Sequence, residues 1–487
     1  MPKLEEQSPQ QNSLITILPN ELVAKIFTIG TEIWRDHHPH DLPFPILASS
    51  VTSHWRQLAR NTPNLWAFII VPIHKDLDFC LVWTSEWLSR SGGLPLSLIL
   101  DLDPRMGATY RLVQETSRLI SQTILLVLKN NKQRLYRLDI SAKFNPGEIM
   151  TALHILDAPY LQHITLCNWS TTSPSRFSGG ETPWPWLTNL PNLTKLRFKG
   201  TILPIVPRLT SLTVYDLRLT YDDMQAVFST SPDLAHLVLQ NMLPITGPVP
   251  LNHKLIQVNS LRSLALSLRG SKDAVYLFHF LTIPNLSYLE VDDDLQVFSV
   301  LRSSISSSKI KTLRISNIST SFNQDVPDLK NYPPLTSLQH LQLIRAYPAG
   351  FLFGHEPQMG LSRRRSIDLR LSGSNKAFSR VVVETTNHRS MPEPPKMPWP
   401  ELRTITFDTL VASDVAKLCR FVQLHKGVQK VELSRTAMRH LSGSLRRDGD
   451  KVYHLPPQLK TPIIGDEGTK DVPEWLGALV ELRVFDP

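Results

Sequence analysis

A short apolar motif recurs along most of this chain and constrains its fold more than any other feature. The motif reads apolar-x-x-apolar-x-apolar and usually follows proline, asparagine or serine. Its clearest copies are PYLQHITL from Pro159, PNLTKLRF from Pro191, PRLTSLTV from Pro207, PDLAHLVL from Pro232, NSLRSLAL from Asn259, PNLSYLEV from Pro284, SKIKTLRI from Ser308, TSLQHLQL from Thr336, PELRTITF from Pro400 and KGVQKVEL from Lys426. We assign an earlier copy to residues 135–140, a last one to 479–484 and a degenerate one to 364–369.

The spacing of the copies is mostly roughly 24–28 residues, which is a leucine-rich repeat period. In such a unit the leucines of a short strand point inward, and no unit can bury them alone. Stacking of the units therefore predicts a curved solenoid with a parallel sheet on its concave face. The rival interpretation is a set of ordinary amphipathic strands in an unrelated α/β fold, and the persistent period argues against it.

Polar residues stand between the leucines of the motif, and we expect them to project from or near the sheet face. They include Lys195, Arg197, His236, Arg262, Tyr288, Glu290, Arg314, His340 and Gln342. Two segments, 168–185 and 387–400, are rich in proline and small polar residues and are predicted to be insertions between repeats. The sequence does not single out which exposed residues bind a target.

A helix is predicted to begin near Leu18, where the segment LPNEL supplies a proline and a carboxylate. Leu22, Ile26, Ile29 and Ile33 then recur at intervals of three to four residues. This spacing puts them on one face of the helix, and we expect that face to be buried.

A second helical pattern covers residues 46–59, and a turn with two large apolar residues, PNLW from Pro63, follows it. Its apolar positions on one face are Leu47, Val51, Trp55, Leu58 and Ala59. Helices of this size bury little surface by themselves, so exposed apolar surface should await a partner or the next domain.

The order of these elements resembles the F-box-like domains of fungal proteins. The resemblance rests on LPxELxxxIF from Leu18, V-x-x-x-W from Val51 and NTPxLW from Asn61, and it covers about residues 17–70. In that family the helices form a small orthogonal bundle whose apolar face binds the Skp-type adaptor of a cullin-RING ubiquitin ligase. Carried over by position, the adaptor contacts are Leu18, Pro19, Leu22, Ile26, Phe27, Val51 and Trp55.

Two features depart from the family pattern. The segment 35–45 is longer than in the shortest family members, and Thr52 stands where a cysteine often follows the valine. The remainder of the chain resembles the irregular leucine-rich repeats that follow F-boxes in many substrate adaptors.

We therefore predict an α/β fold, with a small N-terminal orthogonal helical F-box-like module followed by an irregular leucine-rich repeat solenoid with parallel strands. The predicted organisation is a disordered N-terminus over 1–12, the F-box-like domain over 13–72, a linker leading into the solenoid over 73–134 and the repeat array over 135–487. The resemblance implies a substrate-recognition adaptor of a Skp/cullin/F-box ubiquitin ligase, whose repeats bind an unknown protein substrate.

The alternative function is a leucine-rich repeat interaction scaffold outside the ubiquitin system, in which the N-terminal helices only cap the solenoid. The two functions differ in what they require of the surface. A cap should be fully buried, whereas a docking module should leave Leu18, Pro19, Leu22 and part of the second helix accessible.

Signatures of catalysis are absent from the sequence, which contains no GxGxxG, GxxxxGK[ST], HExxH or GxSxG motif. We expect no enzymatic activity and no cofactor. His37, His38 and His40, with Asp36 and Asp41, have metal-ligand side chains in close spacing. A hydrophilic loop between two helices accounts for them, so we predict no metal site.

The formal charge of +9 allows acidic partners without naming one. Basic runs at 363–365 and 446–447 lack the interleaved aromatic residues of a single-strand stacking platform, so we expect no nucleic-acid partner. The chain has no apolar run of about 18 residues and no basic start that leads into an apolar core. We expect an intracellular protein, cytoplasmic and/or nuclear, with no membrane partner.

Overall fold

The computed structural model shows an α/β protein built on parallel strands, as the sequence predicts. The chain divides into two compact units, Met1–Leu281 and Thr282–Pro487. The structure describes residues 18–37, 42–101, 110–141, 152–153, 158–167, 185–199, 203–217, 219–242, 254–267, 278–292, 309–317, 335–346, 399–409, 418, 421–422, 425–434, 437 and 481–485.

Three helices and a 3-10 turn begin the first unit: α1 Asn20–His37, α2 Phe44–Val51, α3 Ser53–Arg60 and the turn Pro63–Leu65. We call them the N-terminal module. Thr52 separates α2 from α3, because its extended backbone ends the first of these helices. Its hydroxyl then accepts a hydrogen bond of 3.0 Å from the backbone N–H of Trp55 and caps the second. The residue that departs from the family pattern is thus a helix cap.

Large aromatic side chains form the core of the module. Phe27 of α1 is fully buried, and its ring lies edge-on to that of Phe44 in α2, with the centroids 6.4 Å apart. Trp66 is also fully buried, and its indole Nε1 donates a hydrogen bond of 2.8 Å to the carbonyl of Ala59 at the end of α3. These contacts hold the helices together and satisfy the polar atom that the buried indole carries.

Eight strands of the first unit form a parallel sheet in which each strand lies beside the next one along the chain. They are β1 Phe68–Val71, β2 Leu96–Asp101, β3 Leu135–Ser141, β4 His163–Cys167, β5 Lys195–Lys199, β6 Ser211–Tyr215, β7 His236–Gln240 and β9 Ser263–Ser267. Two-residue strands are β8 Ile256–Gln257 and β10 Leu281–Thr282.

Helices occupy three of the crossovers between these strands. They are α4 Leu77–Arg90 before β2, α5 Tyr110–Asn131 before β3 and α6 Tyr221–Thr230 before β7. Further 3-10 turns include Lys132–Arg134, Pro185–Asn189 and residues 278–280. No helix in the part of the chain that the structure describes is both long enough and apolar enough to cross a membrane.

Among its described residues, the second unit has six parallel strands in chain order. They are β11 Tyr288–Asp292, β12 Thr312–Ser316, β13 His340–Ile344, β14 Thr404–Phe407, β15 Lys430–Ser434 and β16 Glu481–Phe485.

Each quoted copy of the apolar motif contains one of these strands, which confirms the predicted strand positions. Strand β5 shows the pattern that the motif imposes: Leu196 and Phe198 are buried, while Lys195 and Arg197 are exposed. The parallel register aligns the buried positions of neighbouring strands, for example Leu196 with Leu212 in β6. Stacked units therefore bury their leucines against one another.

Several strands also end in the same way. Asp216, Asn241, Asn317 and Arg345 directly follow β6, β7, β12 and β13, and their φ angles are 53°, 54°, 55° and 49°. Aspartate and asparagine tolerate this left-handed conformation better than most residues. A left-handed residue at the same place after each of these strands is a second sign that the strands belong to repeated units.

The sheet begins at β1, ahead of residue 135 where the sequence places the start of the array. Strands β1 and β2 were not predicted, because FIIV is a continuous apolar run and the alternating Leu96, Leu98 and Leu100 of LSLILD do not complete the repeat motif. Residues 1–12, the degenerate copy at 364–369, both basic runs and most of both insertions lie outside the described residues. So does most of the histidine-rich segment 36–41.

Candidate functional site

Helix α1 has two apolar faces, and the inner one packs into the module. Val23, Phe27 and Trp34 form it, and all three are buried. Gly30 completes this face. A Cβ atom at Gly30 would lie 2.3 Å from the Phe44 ring, so only the hydrogen of glycine leaves room for the close approach of α1 and α2.

The outer apolar face is exposed. Each of its members on α1 stands one residue before a member of the inner face. It consists of Leu18, Leu22, Ile26, Ile29 and Ile33, whose exposed fractions are 36, 52, 43, 45 and 54%. The expectation that this stripe is buried within the chain is wrong, because the aromatic residues of the neighbouring stripe occupy the inward side. A row of five large aliphatic side chains, four of them on α1 and Leu18 just before it, is instead open to solvent.

Helix α2 and the residues before it add exposed apolar side chains of the same kind. Leu42, Leu47 and Val51 are exposed by 54, 45 and 59%. Soluble monomers rarely leave many large apolar residues exposed within one short segment, unless that segment binds something.

The structure separates the predicted adaptor contacts into two groups. Those that are exposed are Leu18, Pro19, Leu22, Ile26 and Val51. Trp55 is partly buried, and Phe27 is fully buried inside the module. Phe27 therefore lies in the core that supports the exposed face, and it does not form part of that surface.

Four exposed apolar residues of the module were not among the predicted contacts: Ile29, Ile33, Leu42 and Leu47. The same three-to-four residue spacing that points to Leu22 and Ile26 also contains Ile29 and Ile33. The signal was thus present in the sequence.

Charged residues border the outer apolar face. Glu21, Lys25 and Glu32 each precede one of its members and are exposed. An apolar centre with a charged border is the usual anatomy of a protein-binding surface.

A second apolar surface is a groove of about 500 Å³ between α4 and α5. Its lining residues are Leu81, Val82, Ser85, Gln122, Leu125, Leu126 and Lys129. Among them only Lys129 carries an ionisable group, so the groove does not hold the converging acid and base that catalysis requires.

Reactive side chains are not assembled elsewhere among the described residues. Burial and, after it, the nearby charge of Asp76 raise the pKa of the Cys80 thiol to about 11. A thiol in that state is a poor nucleophile at neutral pH. No group of three histidine, cysteine or acidic residues able to hold a metal ion occurs in the described segments. Asp292 instead accepts hydrogen bonds from Ser316 and Asn317 at 2.9 and 2.6 Å.

Comparison of the sequence with models of known protein families and with curated proteins finds no match. Function is therefore inferred from the exposed outer apolar face of α1 and from the resemblance of residues 17–70 to F-box-like domains.

Proposed function

We propose that the chain is a substrate-recognition adaptor of a Skp/cullin/F-box ubiquitin ligase. The N-terminal module acts as an F-box-like domain that binds the Skp-type adaptor, and the repeats act as a leucine-rich repeat solenoid that binds a target protein. The observation that carries the proposal is the exposure of the outer apolar face of α1 beside a well-packed inner face.

The exposure bears on the choice between a docking module and a cap. A cap would use its apolar stripe to cover the end of the sheet, and the stripe would then be buried. Here Leu22 and Ile33 remain more than half exposed, although Phe27 on the same helix is fully buried. Covering the exposed half of one such side chain contributes about 1 kcal/mol, so a partner that covers the whole row gains several kcal/mol.

The repeats support the second half of the proposal. In β5, β6 and β7 alternate residues are buried for packing, which leaves the intervening residues to face a target. Binding energy at such surfaces usually concentrates in a few anchors. The leucines of the motif are then structural, and the exposed residues between them set specificity.

Photo-crosslinking tests the docking surface directly. We would replace Ile29, on the outer apolar face, with benzoylphenylalanine in the full chain and irradiate it with a purified Skp-type adaptor. The matched control carries the same group at Val82 on α4, which is 70% exposed. We expect a covalent product with the adaptor from position 29 only.

The alternative scaffold function makes the opposite prediction. If position 29 crosslinks no better than position 82, the outer apolar face does not bind the Skp-type adaptor. The ubiquitin-ligase assignment would then be dropped in favour of a repeat scaffold.

A further inference from the structure

Two rows of side chains cross one face of the first unit's sheet from β3 to β7, and Asp139 and Thr165 are the buried members of these rows. The parallel register aligns them strand by strand, about 4.8 Å apart. The first row is Arg137, His163, Lys195, Ser211 and His236, and the second is Asp139, Thr165, Arg197, Thr213 and Val238.

Most of the charge in this region is already paired. Arg137 forms an ion pair with Asp139, with Nη2 and Oδ2 2.5 Å apart. Lys199 pairs with Asp216 at the far end of β5, with Nζ and Oδ2 2.8 Å apart. Within each pair the positive and negative charges cancel. The net positive charge of the region therefore comes from the cations between these two pairs.

Lys195 and Arg197 are those remaining cations. Both are exposed, they stand two positions apart on β5, and neither forms an ion pair with a carboxylate among the described residues. Side chains two positions apart on a strand point to the same side and lie roughly 7 Å from each other. The pair therefore offers two positive groups at a fixed separation.

His163 and Tyr215 flank this pair on the neighbouring strands. Burial lowers the pKa of His163, and Arg137, Lys195 and Arg197 lower it further, while Asp139 opposes them. The guanidinium of Arg197 lies 5.0 Å from the centroid of the Tyr215 ring. The ring helps to hold Arg197 in place.

The second unit lacks such a pair in its described strands. On β12, Arg314 lies 3.3 Å from Glu290, between Nε and Oε1. On β15, Lys430 pairs with Glu432. The unpaired positive charge is thus a feature of one part of the strand face and not of the repeats in general.

We propose that Lys195 and Arg197 bind an anionic segment of a target protein, with the uncharged imidazole of His163 beside them as a hydrogen-bonding group. We call these three residues the basic strip. The groups recognised are oxyanions, carried by carboxylate or by phosphorylated side chains. An extended peptide with such groups at alternate positions matches the separation of Lys195 and Arg197. The inference deepens the proposed function by naming a class of target, and it rests on that function only for what happens after binding.

A nucleic acid is the competing anionic partner, and the surroundings of the strip argue against it. Single strands bind by stacking bases on free aromatic faces. The aromatic ring at the strip is Tyr215, and the Arg197 guanidinium already lies over it.

Fluorescence anisotropy with the full chain tests the proposal. The probes are labelled repeats of phosphoserine-glycine, glutamate-glycine and serine-glycine, together with single-stranded RNA of equal length. We expect the phosphoserine or glutamate repeat to bind and the serine repeat not to bind, and the difference between the two anionic probes identifies the preferred oxyanion.

Variants then assign the binding to the strip. The double variant Lys195→Gln/Arg197→Gln should weaken binding by about tenfold or more. The control Arg118→Gln/Lys129→Gln removes the same charge from the exposed surface of α5 and should change it by less than about twofold. Equal binding by both double variants, binding of RNA alone, or no binding of either anionic peptide would overturn the proposal.

The outcome is independent of adaptor binding. The variant Leu22→Asp should leave peptide binding unchanged, since its site is in the N-terminal module. Peptide binding without adaptor binding would contradict only the proposed ligase role, and the reverse would contradict only the basic strip.

Discussion

The rings of Phe27 and Trp55 meet edge to face, with their centroids 4.9 Å apart and their planes at 64°. This contact joins α1 to α3 across the core of the N-terminal module. It assigns different roles to residues that the family resemblance places in a single contact set. Phe27 supports the module from inside, whereas Leu22 and Ile26 on the same helix face solvent.

Truncation of the two kinds of residue should separate these roles. Phe27→Ala removes a fully buried ring and should destabilise the module by about 3–5 kcal/mol. Ile29→Ala removes a side chain that is 45% exposed and should cost less than about 1 kcal/mol. Hydrogen–deuterium exchange of the α1 amides in the full chain measures both effects. Similar protection in the two variants would contradict the assignment of Phe27 to the core.

The close approach of α1 and α2 predicts that Gly30→Ala is destabilising. The new methyl group would overlap the Phe44 ring, and relief of that overlap should cost about 1–3 kcal/mol. The control is Gly93→Ala, because a Cβ atom there meets nothing within 4 Å. Amide exchange in α1 and α2 should rise for the first variant only. Unchanged exchange at position 30 would show that the helices are not packed as described.

The left-handed residues after the strands predict a pair of opposite effects. Arg345 adopts a φ of 49° that suits asparagine better, so Arg345→Asn should stabilise the second unit by up to about 1 kcal/mol. Asn241→Ala should destabilise the first unit by about the same amount, because alanine fits a φ of 54° poorly. Denaturant midpoints of the full chain measure both effects. Shifts of the same sign would contradict the left-handed conformation of Asn241 and Arg345.

The pKa of His163 predicts a pH effect with a definite sign. Burial and the neighbouring cations lower it below 6.5 in the folded protein, so the unfolded chain takes up the proton first as the pH falls. Below about pH 6.5 this difference favours unfolding, and His163→Gln should remove it. The variant should therefore lose less thermal stability than the natural chain between pH 7 and pH 5. An equal loss would show that His163 is not held neutral.

Neighbouring charges should move the same pKa in opposite directions. Lys195→Gln removes a cation that lowers the pKa of His163 and should raise it, whereas Asp139→Asn removes the carboxylate that raises it and should lower it. Titration of the His163 ring signal by NMR distinguishes the two shifts. Shifts in the same direction would contradict the described arrangement of these charges.

The sequence predicted the strands of the repeats well, because alternating leucines such as Leu237 and Leu239 mark inward positions with a period of two. It did not predict β1 and β2, because neither contains the full repeat motif, although Leu96, Leu98 and Leu100 of β2 alternate with a period of two. On α1 it detected the apolar stripe of Leu22 and Ile26, but periodicity alone did not show whether the rest of the chain or a partner would bury it. The adjacent stripe has the same period, and only the tertiary fit of Phe27 decides which stripe faces inward.

The basic strip could not be read from the sequence for a related reason. Lys195 and Arg197 were recognised as residues near the sheet face, as were many others. Which cations remain unpaired depends on the neighbours that the fold provides. Arg137 forms an ion pair with Asp139 of its own strand, while the sheet register places Lys195 beside His163 and Ser211. Register between distant segments is a property of the folded chain.

The central claim, that the outer apolar face binds a Skp-type adaptor, is tested most directly by the affinity of the full chain for that purified adaptor. We predict measurable binding that Leu22→Asp weakens by about 30-fold or more, corresponding to about 2 kcal/mol, and that Val82→Asp on α4 leaves unchanged. Absence of binding by a folded natural chain, or equal loss in both variants, would contradict the claim.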